Sequence, residues 1–364
     1  MAMKALSKAT IYQVAQLAGV SIATVSRALR DSDLVTRETR ERVQAAAQEL
    51  QFTPSRPARS LAEGRHAANG IVFPDLVGPY YAEVVLGYEA AAAALGSSVL
   101  ILATNGRRDP AAAVRELAGR VDGLTVMGRT IGDDVVAGIA STGLPVVLLA
   151  RDPVEGVDTV RAGNSNTARA LAEHLVGHGH RTITFLGDPD GSPDVAGRYA
   201  GVRAGSKGAH LTLVRGKGLD LESGRRAAKS LLKDKPDAVV CANDEVALGV
   251  LLAAQEAGLR VPEDLAVTGW DDLLAARFAG LTTVRQPMRE LGATAARWLN
   301  KRINESATAT RRADKRINEG PPVARRPDER DESHEENRTA ARRRILATEV
   351  VIRGSCGAHE EVHP

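Results

Sequence analysis

The stretch VSIATVSRALR, residues 20–30, spaces hydroxyls and a guanidinium along a short helical repeat: Ser21, Thr24, Ser26 and Arg27. Hydroxyls of this kind bond phosphate oxygens, and an arginine can bond a guanine edge. Ile22 and Ala23 are apolar and suit thymine methyls and base edges. Thr10 and Tyr12, slightly upstream, add two more hydroxyls. A second set of polar residues closes apolar runs. Tyr80 and Tyr81 follow FPDLVGP, Arg151 follows VVLLA, Asn243 and Asp244 follow AVVC, and Trp270, Asp271 and Asp272 end AVTGWDD; Arg198 opens RYAGVR. Carboxylates, amides and arginine make paired hydrogen bonds to vicinal hydroxyls, and an aromatic face suits a sugar ring or a base.

Other chemistries find less support. Asp271 and Asp272 are adjacent, so on a strand they face opposite ways and cannot act as a carboxylate pair. RGKG, residues 215–218, lacks the Lys-Ser/Thr ending of a phosphate loop. His174, His178 and His180 fall where a helix ends, and there cations offset the helix dipole. Asp244 and Asp272 read as helix or loop caps. No catalytic residue, cofactor or metal is expected.

Elements must hold these groups in place. Thr10 caps a first helix with Ile11, Val14, Ala15 and Ala18 on its apolar side. Gly19 supplies the turn, and Ser21 caps a second helix that presents Val25, Ala28 and Leu29 to the first. Thr36 and Glu38 start a third, with Val43, Ala46, Ala47 and Leu50 buried. Residues 1–53 thus read as an all-α helix-turn-helix head, with the polar face of the second helix free for a DNA major groove. In the linker, residues 54–66, Ser55 can cap a short helix with Pro57 in its first turn. Leu61 then sits among Arg56, Arg59 and Arg65, either as a minor-groove wedge or on a flexible tether.

Residues 67–300 alternate strands such as GIVFPDL, SVLILAT, DGLTVMG and PVVLLAR with amphipathic helices, and a second set follows from TITFLGD to LAVTGWDD. That pattern predicts two doubly wound parallel-sheet halves with a ligand cleft beyond the strands' carboxyl ends. Residues 301–343 repeat KRINE at a spacing of fourteen, are charge-rich, and read as a disordered insertion. Residues 344–357 read as the last strand and 358–364 as a tail.

Composition agrees with a chain of several domains. Residues 1–66 hold ten Lys/Arg against six Asp/Glu, whereas 67–300 hold 24 against 27, so a basic head joins a slightly acidic body. Two cysteines make no disulfide framework, and the most apolar run, residues 90–103, is too short to span a bilayer. The opening residues lack a signal peptide's apolar segment, so a cytoplasmic location is expected.

The head motif TIYQVAQLAGVSIATVSRAL resembles the lactose/galactose repressor family of bacterial transcription regulators. The resemblance continues through VTRETRERVQAAAQELQFTPSRPARSLA, LAEHLVGHGHRTITFLG, CANDEVALGVLLAAQEAGLRVPEDLAVTGWDD, LTTVRQPMRELG and ILATEVVIRGSC. It implies a repressor acting as a homodimer on a palindromic operator, with a periplasmic-binding-protein-like body and a sugar or nucleoside-like effector. By resemblance Leu61 is the leucine that kinks the operator centre. Asn243, Asp271 and Arg198 match effector-binding positions, and Tyr80 and Tyr81 match ring-contacting ones. Ser55, Pro57 and Arg30 depart from the family's usual Asn, Val/Ala and Asn. Gly78, Ala150 and Gly163 replace common Asn, Asp and Asp, which removes hydrogen-bonding groups from the cleft. The competing reading is a periplasmic-type solute-binding protein without a DNA role; the intact head argues against it.

Overall fold

The computed structural model describes residues 9–29, 34–52, 65–319 and 340–357, with 310–319 as helix backbone only. Arg30, the linker residues Arg56, Arg59 and Leu61, residues 320–339 of the insertion and the tail from 358 lie outside the described residues. Contacts divide the chain into two units, 1–66 and 67–364.

The first unit holds three helices, α1 (Ile11–Ala18), α2 (Ile22–Ala28) and α3 (Arg37–Glu49). Thr10 caps α1 in a reciprocal box with Gln13, Ser21 caps α2 by accepting from the Thr24 N–H at 3.1 Å, and Thr36 caps α3. Gly19 takes φ +65°, a left-handed conformation that lets α2 turn away from α1 without strain. Val14, Val25, Ala28 and Val43 are fully enclosed between the helices. Leu50 is only half-buried at the edge of this core.

The second unit contains two parallel sheets. The first has the order β11-β5-β4-β3-β1-β2, formed by β1 (Ala68–Phe73), β2 (Ser98–Ala103), β3 (Gly123–Met127), β4 (Val146–Leu149), β5 (Asp158–Ala162) and β11 (Arg343–Leu346). The second has the order β7-β6-β8-β9, formed by β6 (Thr182–Leu186), β7 (His210–Val214), β8 (Ala238–Cys241) and β9 (Ala266–Thr268). A short antiparallel pair, β10 (Thr283–Arg285) with β12 (Glu349–Val351), completes the unit.

Strands β1, β3 and β4 are buried along their whole length, because helices cover both faces. The first sheet carries α4 (Pro79–Ala94), α5 (Pro110–Ala118), α6 (Asp133–Ser141) and α12 (Met288–Glu319). The second carries α7 (Ser165–Gly177), α8 (Pro193–Gly205), α9 (Leu221–Leu231) and α10 (Asp244–Glu256), with α11 (Leu274–Phe278) after β9. Helices α4 and α12 approach backbone to backbone. A Cβ at Gly87 would strike the Arg289 carbonyl, and one at Gly292 the Val84 carbonyl.

The chain passes between the two sheets three times: from β5 to α7, from β10 to α12, and from β11 to β12. Two of these crossovers are tied together. Thr348 Oγ1 donates to the Gly163 carbonyl at 2.6 Å and lies 2.6 Å from Thr167 Oγ1.

Two expectations are corrected here. Residues 301–319, read as part of a disordered insertion, continue α12 to Glu319. Ile303 is buried in the core of the first lobe, and Arg302 binds the buried Asp158 carboxylate through both oxygens at 2.8 and 2.6 Å. The charges that looked like solvated loop are therefore partly structural, on a segment rich in helix formers. Residues 344–357 are not one strand: β11 ends in the first sheet and β12 begins in the antiparallel pair, with a crossover between them. Strands β5 and β10 and helices α6, α11 and α12 were not anticipated from the pattern.

Candidate functional site: a helix face and a two-lobed cleft

In the first unit the apolar side of α2 is consumed by Val25 and Ala28, which leaves Ser21, Ile22, Ala23 and Arg27 exposed. Ile22 keeps 40 % of its surface and Tyr12, at the start of α1, keeps 69 %. Thr24 and Ser26 are half-buried. Thr10, Ser21 and Thr24 already work locally: Ser21 Oγ lies 2.9 Å from Thr24 Oγ1, and Thr10 Oγ1 donates to Gln13 Oε1 at 3.1 Å. Cap hydroxyls keep further acceptor capacity.

In the second unit a cavity of about 590 Å³ opens between the lobes. Its walls come from the segments that follow the strands' carboxyl ends. Asp75, Tyr80 and Tyr81 follow β1, Asn105 follows β2, Arg129 follows β3, and Ala150 follows β4. Asp194 and Arg198 follow β6, Lys217 and Asp220 follow β7, Asn243 and Glu245 follow β8, and Asp271 follows β9. Parallel strands with helices on both faces leave this end uncovered, which is why polar groups gather here.

Arg198 is held rigidly. Its Nε donates to Asn164 Oδ1 at 3.0 Å, its Nη1 to the Ala242 carbonyl at 2.5 Å, and its guanidinium lies 4.7 Å above the Trp270 ring. Asn164 Nδ2 in turn donates to Asp194 Oδ1 at 2.8 Å. Asn243 lines the cleft and also caps α10, accepting from the Val246 N–H and donating to the Leu219 carbonyl. Asp271 is 3 % exposed, and one of its oxygens accepts from Gln286 Nε2 in the β10–α12 crossover. Burial, with Asp244 and Asp194 adding to it, pushes its carboxyl up to about 8 despite the opposing pull of Arg198. Burial also raises the Tyr80 and Tyr81 phenols. The Tyr80 hydroxyl and the Trp270 indole N–H are both buried without a hydrogen-bond partner among the described residues. Tyr80 and Tyr81 meet edge to face with ring centres 5.4 Å apart.

Five of the seven cleft residues expected from sequence therefore meet: Tyr80, Tyr81, Arg198, Asn243 and Asp271. The other two do not line the cavity. Arg151, 2 % exposed, turns back to the Gly128 carbonyl and the Asp133 carboxylate. Trp270, 1 % exposed, lies beneath Arg198 and supports it. Asp244 and Asp272 are not caps. Asp244 accepts from Thr283 Oγ1 and the Leu273 N–H, and Asp272 binds Arg277, Arg285 and Arg353. Sequence reasoning passed over Asp75, Asp194, Asp220 and Glu245, although each lies at a junction between a strand and the helix after it. His178 is the C-cap residue of α7 and its ring lies 4.4 Å from that of His174. Among the described residues no group of three or more His, Cys, Asp or Glu is arranged to hold a metal ion.

Residues 10–55 match the family described as bacterial regulatory proteins, lacI family, and residues 172–326 match a periplasmic binding protein-like domain. The transcriptional repressor PurR of Erwinia tasmaniensis is 34 % identical over 309 residues, which is 81 % of this chain and 90 % of that protein. Catabolite control protein A of Staphylococcus xylosus is 31 % identical over 307 residues, covering 81 % of this chain and 93 % of the relative. Among solved structures, a lac repressor dimer bound to operator and the anti-inducer ONPF is similar with a TM-score of 0.80. It is 27 % identical and covers 97 % of this chain and 100 % of that one. A complex of the regulator CelR with cellobiose is 27 % identical at a TM-score of 0.64, covering 96 % of this chain and 100 % of that one.

Proposed function

This chain belongs to the lacI family of bacterial regulatory proteins, with a helix-turn-helix DNA-binding head and a periplasmic-binding-protein-like body, and on that footing we propose how it works. It is a cytoplasmic, non-catalytic repressor that binds a palindromic operator as a homodimer and answers to a small molecule held in the cleft. The observation that carries this reading is the division of labour on α2. Its apolar side is spent on the head's core, while Ser21, Ile22, Ala23 and Arg27 stay exposed. Arg27 reads a guanine, Ile22 and Ala23 touch base edges, and Thr10, Tyr12, Ser21, Thr24 and Ser26 hold phosphates. Arg56, Arg59 and Leu61 in the linker contact the operator centre, with Leu61 as the wedge.

In the body, Arg198, Asn243 and Asp271 bind the effector's hydroxyls, with Tyr80 and Tyr81 against its ring. A sugar is favoured over a nucleoside because the similar regulator CelR is seen in complex with cellobiose. The unpartnered Tyr80 hydroxyl and the half-used Asp271 carboxyl are the groups such a ligand would satisfy. Selection of bound duplexes from a random pool, followed by footprinting, tests the DNA half. An inverted repeat with a protected guanine in each half-site is expected, and recovery of unrelated sequences would contradict it.

A further inference from the structure

The cleft is uneven in charge, and the unevenness says something about the ligand. Five acidic side chains line it, Asp75, Asp194, Asp220, Glu245 and Asp271, the last held protonated near neutral pH by burial, against the cations Arg129, Arg198 and Lys217. Two of those cations are engaged. Arg198 is committed to Asn164, the Ala242 carbonyl and Trp270, and Arg129 to Asp152 and the Asp190 carbonyl.

The carboxyl groups fall into two sets: Asp220 and Asp75 act on Glu245, whereas Asp194 and Asp271 act together on Tyr80. Arg198 serves the Asp194 and Asp271 group. The Asp75, Asp220 and Glu245 group has no such arginine. Asp220 is taken up by the Ser223 N–H and hydroxyl, and Asp75 by the Val77 N–H. The Glu245 carboxylate has no hydrogen-bond or ion-pair partner among the described residues. It extends into space that a side chain at residue 78 would occupy, and glycine there leaves that space open. Burial together with Asp220 and Asp75 raises the Glu245 carboxyl. Asp271, almost wholly buried, lines the cavity from the other group, where Gln286 and Arg198 already engage it.

A neutral sugar's hydroxyls would hydrogen-bond Glu245 but leave its charge uncompensated beside Asp220 and Asp75. A phosphorylated sugar would meet like charges. An ammonium group supplies charge-assisted hydrogen bonds to all three carboxylates. We infer that the effector is an amino sugar, its ammonium group held by Glu245, Asp75 and Asp220 and its ring hydroxyls by Arg198, Asn243 and Asp271. This rests on the reading of the cleft as the effector site.

The test is calorimetric titration of the full-length protein at pH 6.5 with D-glucosamine, D-galactosamine, the two parent hexoses and glucose 6-phosphate. At least one hexosamine should bind about tenfold or more tightly than its parent hexose. Glu245→Gln, which keeps shape and removes charge, should bring that ratio below about threefold. Three results overturn the assignment: parent hexoses bound as tightly as the hexosamines, preference for the phosphate, or no hexosamine binding at about 10 mM. Binding of a neutral sugar in their place would leave the effector-site reading intact and remove only the ammonium. Silence from every sugar in protein that still binds its operator would count against both.

Discussion

Asp271 keeps 3 % of its surface, and its carboxyl titrates near pH 8 because burial disfavours the charge more than Arg198 favours it. In the unfolded chain the same group titrates near pH 4. The folded protein therefore binds the extra proton, and the stability this contributes is complete below about pH 4 and lost as the pH rises through about 8. Asp244, raised to about 6, acts in the same direction over a narrower window. Thermal melts of the ligand-free protein should show a lower Tm at pH 8 than at pH 5. Asp271→Asn should flatten that dependence; an unchanged slope would mean that Asp271 is ionised throughout. In the head, Arg27→Ala should weaken operator binding by about 1–3 kcal/mol and relax preference at one base pair per half-site. A uniform loss across sequences would make Arg27 a phosphate contact. The polar strand-end residues were legible because their position in an alternating pattern suffices to bring them to one edge. The fates of Arg151 and Trp270 were not, since each depends on groups distant in sequence: Asp133 and the Gly128 carbonyl for one, Arg198 for the other.

Caps and helix starts were readable in the same local way. Thr10, Ser21 and Thr36 each sit immediately before a helix and accept a backbone N–H three residues on. Thr10→Ala should lower the head's stability by about 1 kcal/mol in a denaturant titration. The run of α12 past residue 300 was not readable, because composition alone cannot separate a solvated charge from one with a buried partner. Asp158 is such a partner: its side chain is fully enclosed and bound by Arg302 and the Arg342 N–H. Arg302→Ala would leave that carboxylate short of its main cation and should cost about 3 kcal/mol, read as a shift of the urea midpoint. A change near zero would show that Arg342 suffices alone.

The two lobes of the body meet across the cleft as well as through the three crossovers. Arg129, after β3, donates to the Asp190 carbonyl beyond β6 at 2.7 Å, and Asp152 and Arg215 extend the chain of charges on either side. Arg129→Ala should loosen this latch and speed effector release severalfold, by the roughly 1 kcal/mol of a typical net hydrogen bond at a half-exposed side chain. A ligand that bridges the lobes can shift the protein between two arrangements only as far as it binds them differently. The lobes could be foreseen from the alternation of strands and helices. The crossovers could not, because β5, β10 and β12 are short and their pairing is set by contacts distant in sequence. The most direct measurement is a fluorescence titration of the full-length protein with palindromic and scrambled duplexes of about 20 base pairs across a salt series. The account predicts a palindrome bound at least roughly a thousandfold more tightly than its scramble, and a change in that affinity when the cleft is filled. Equal binding to both, with only a steep salt slope, would contradict it.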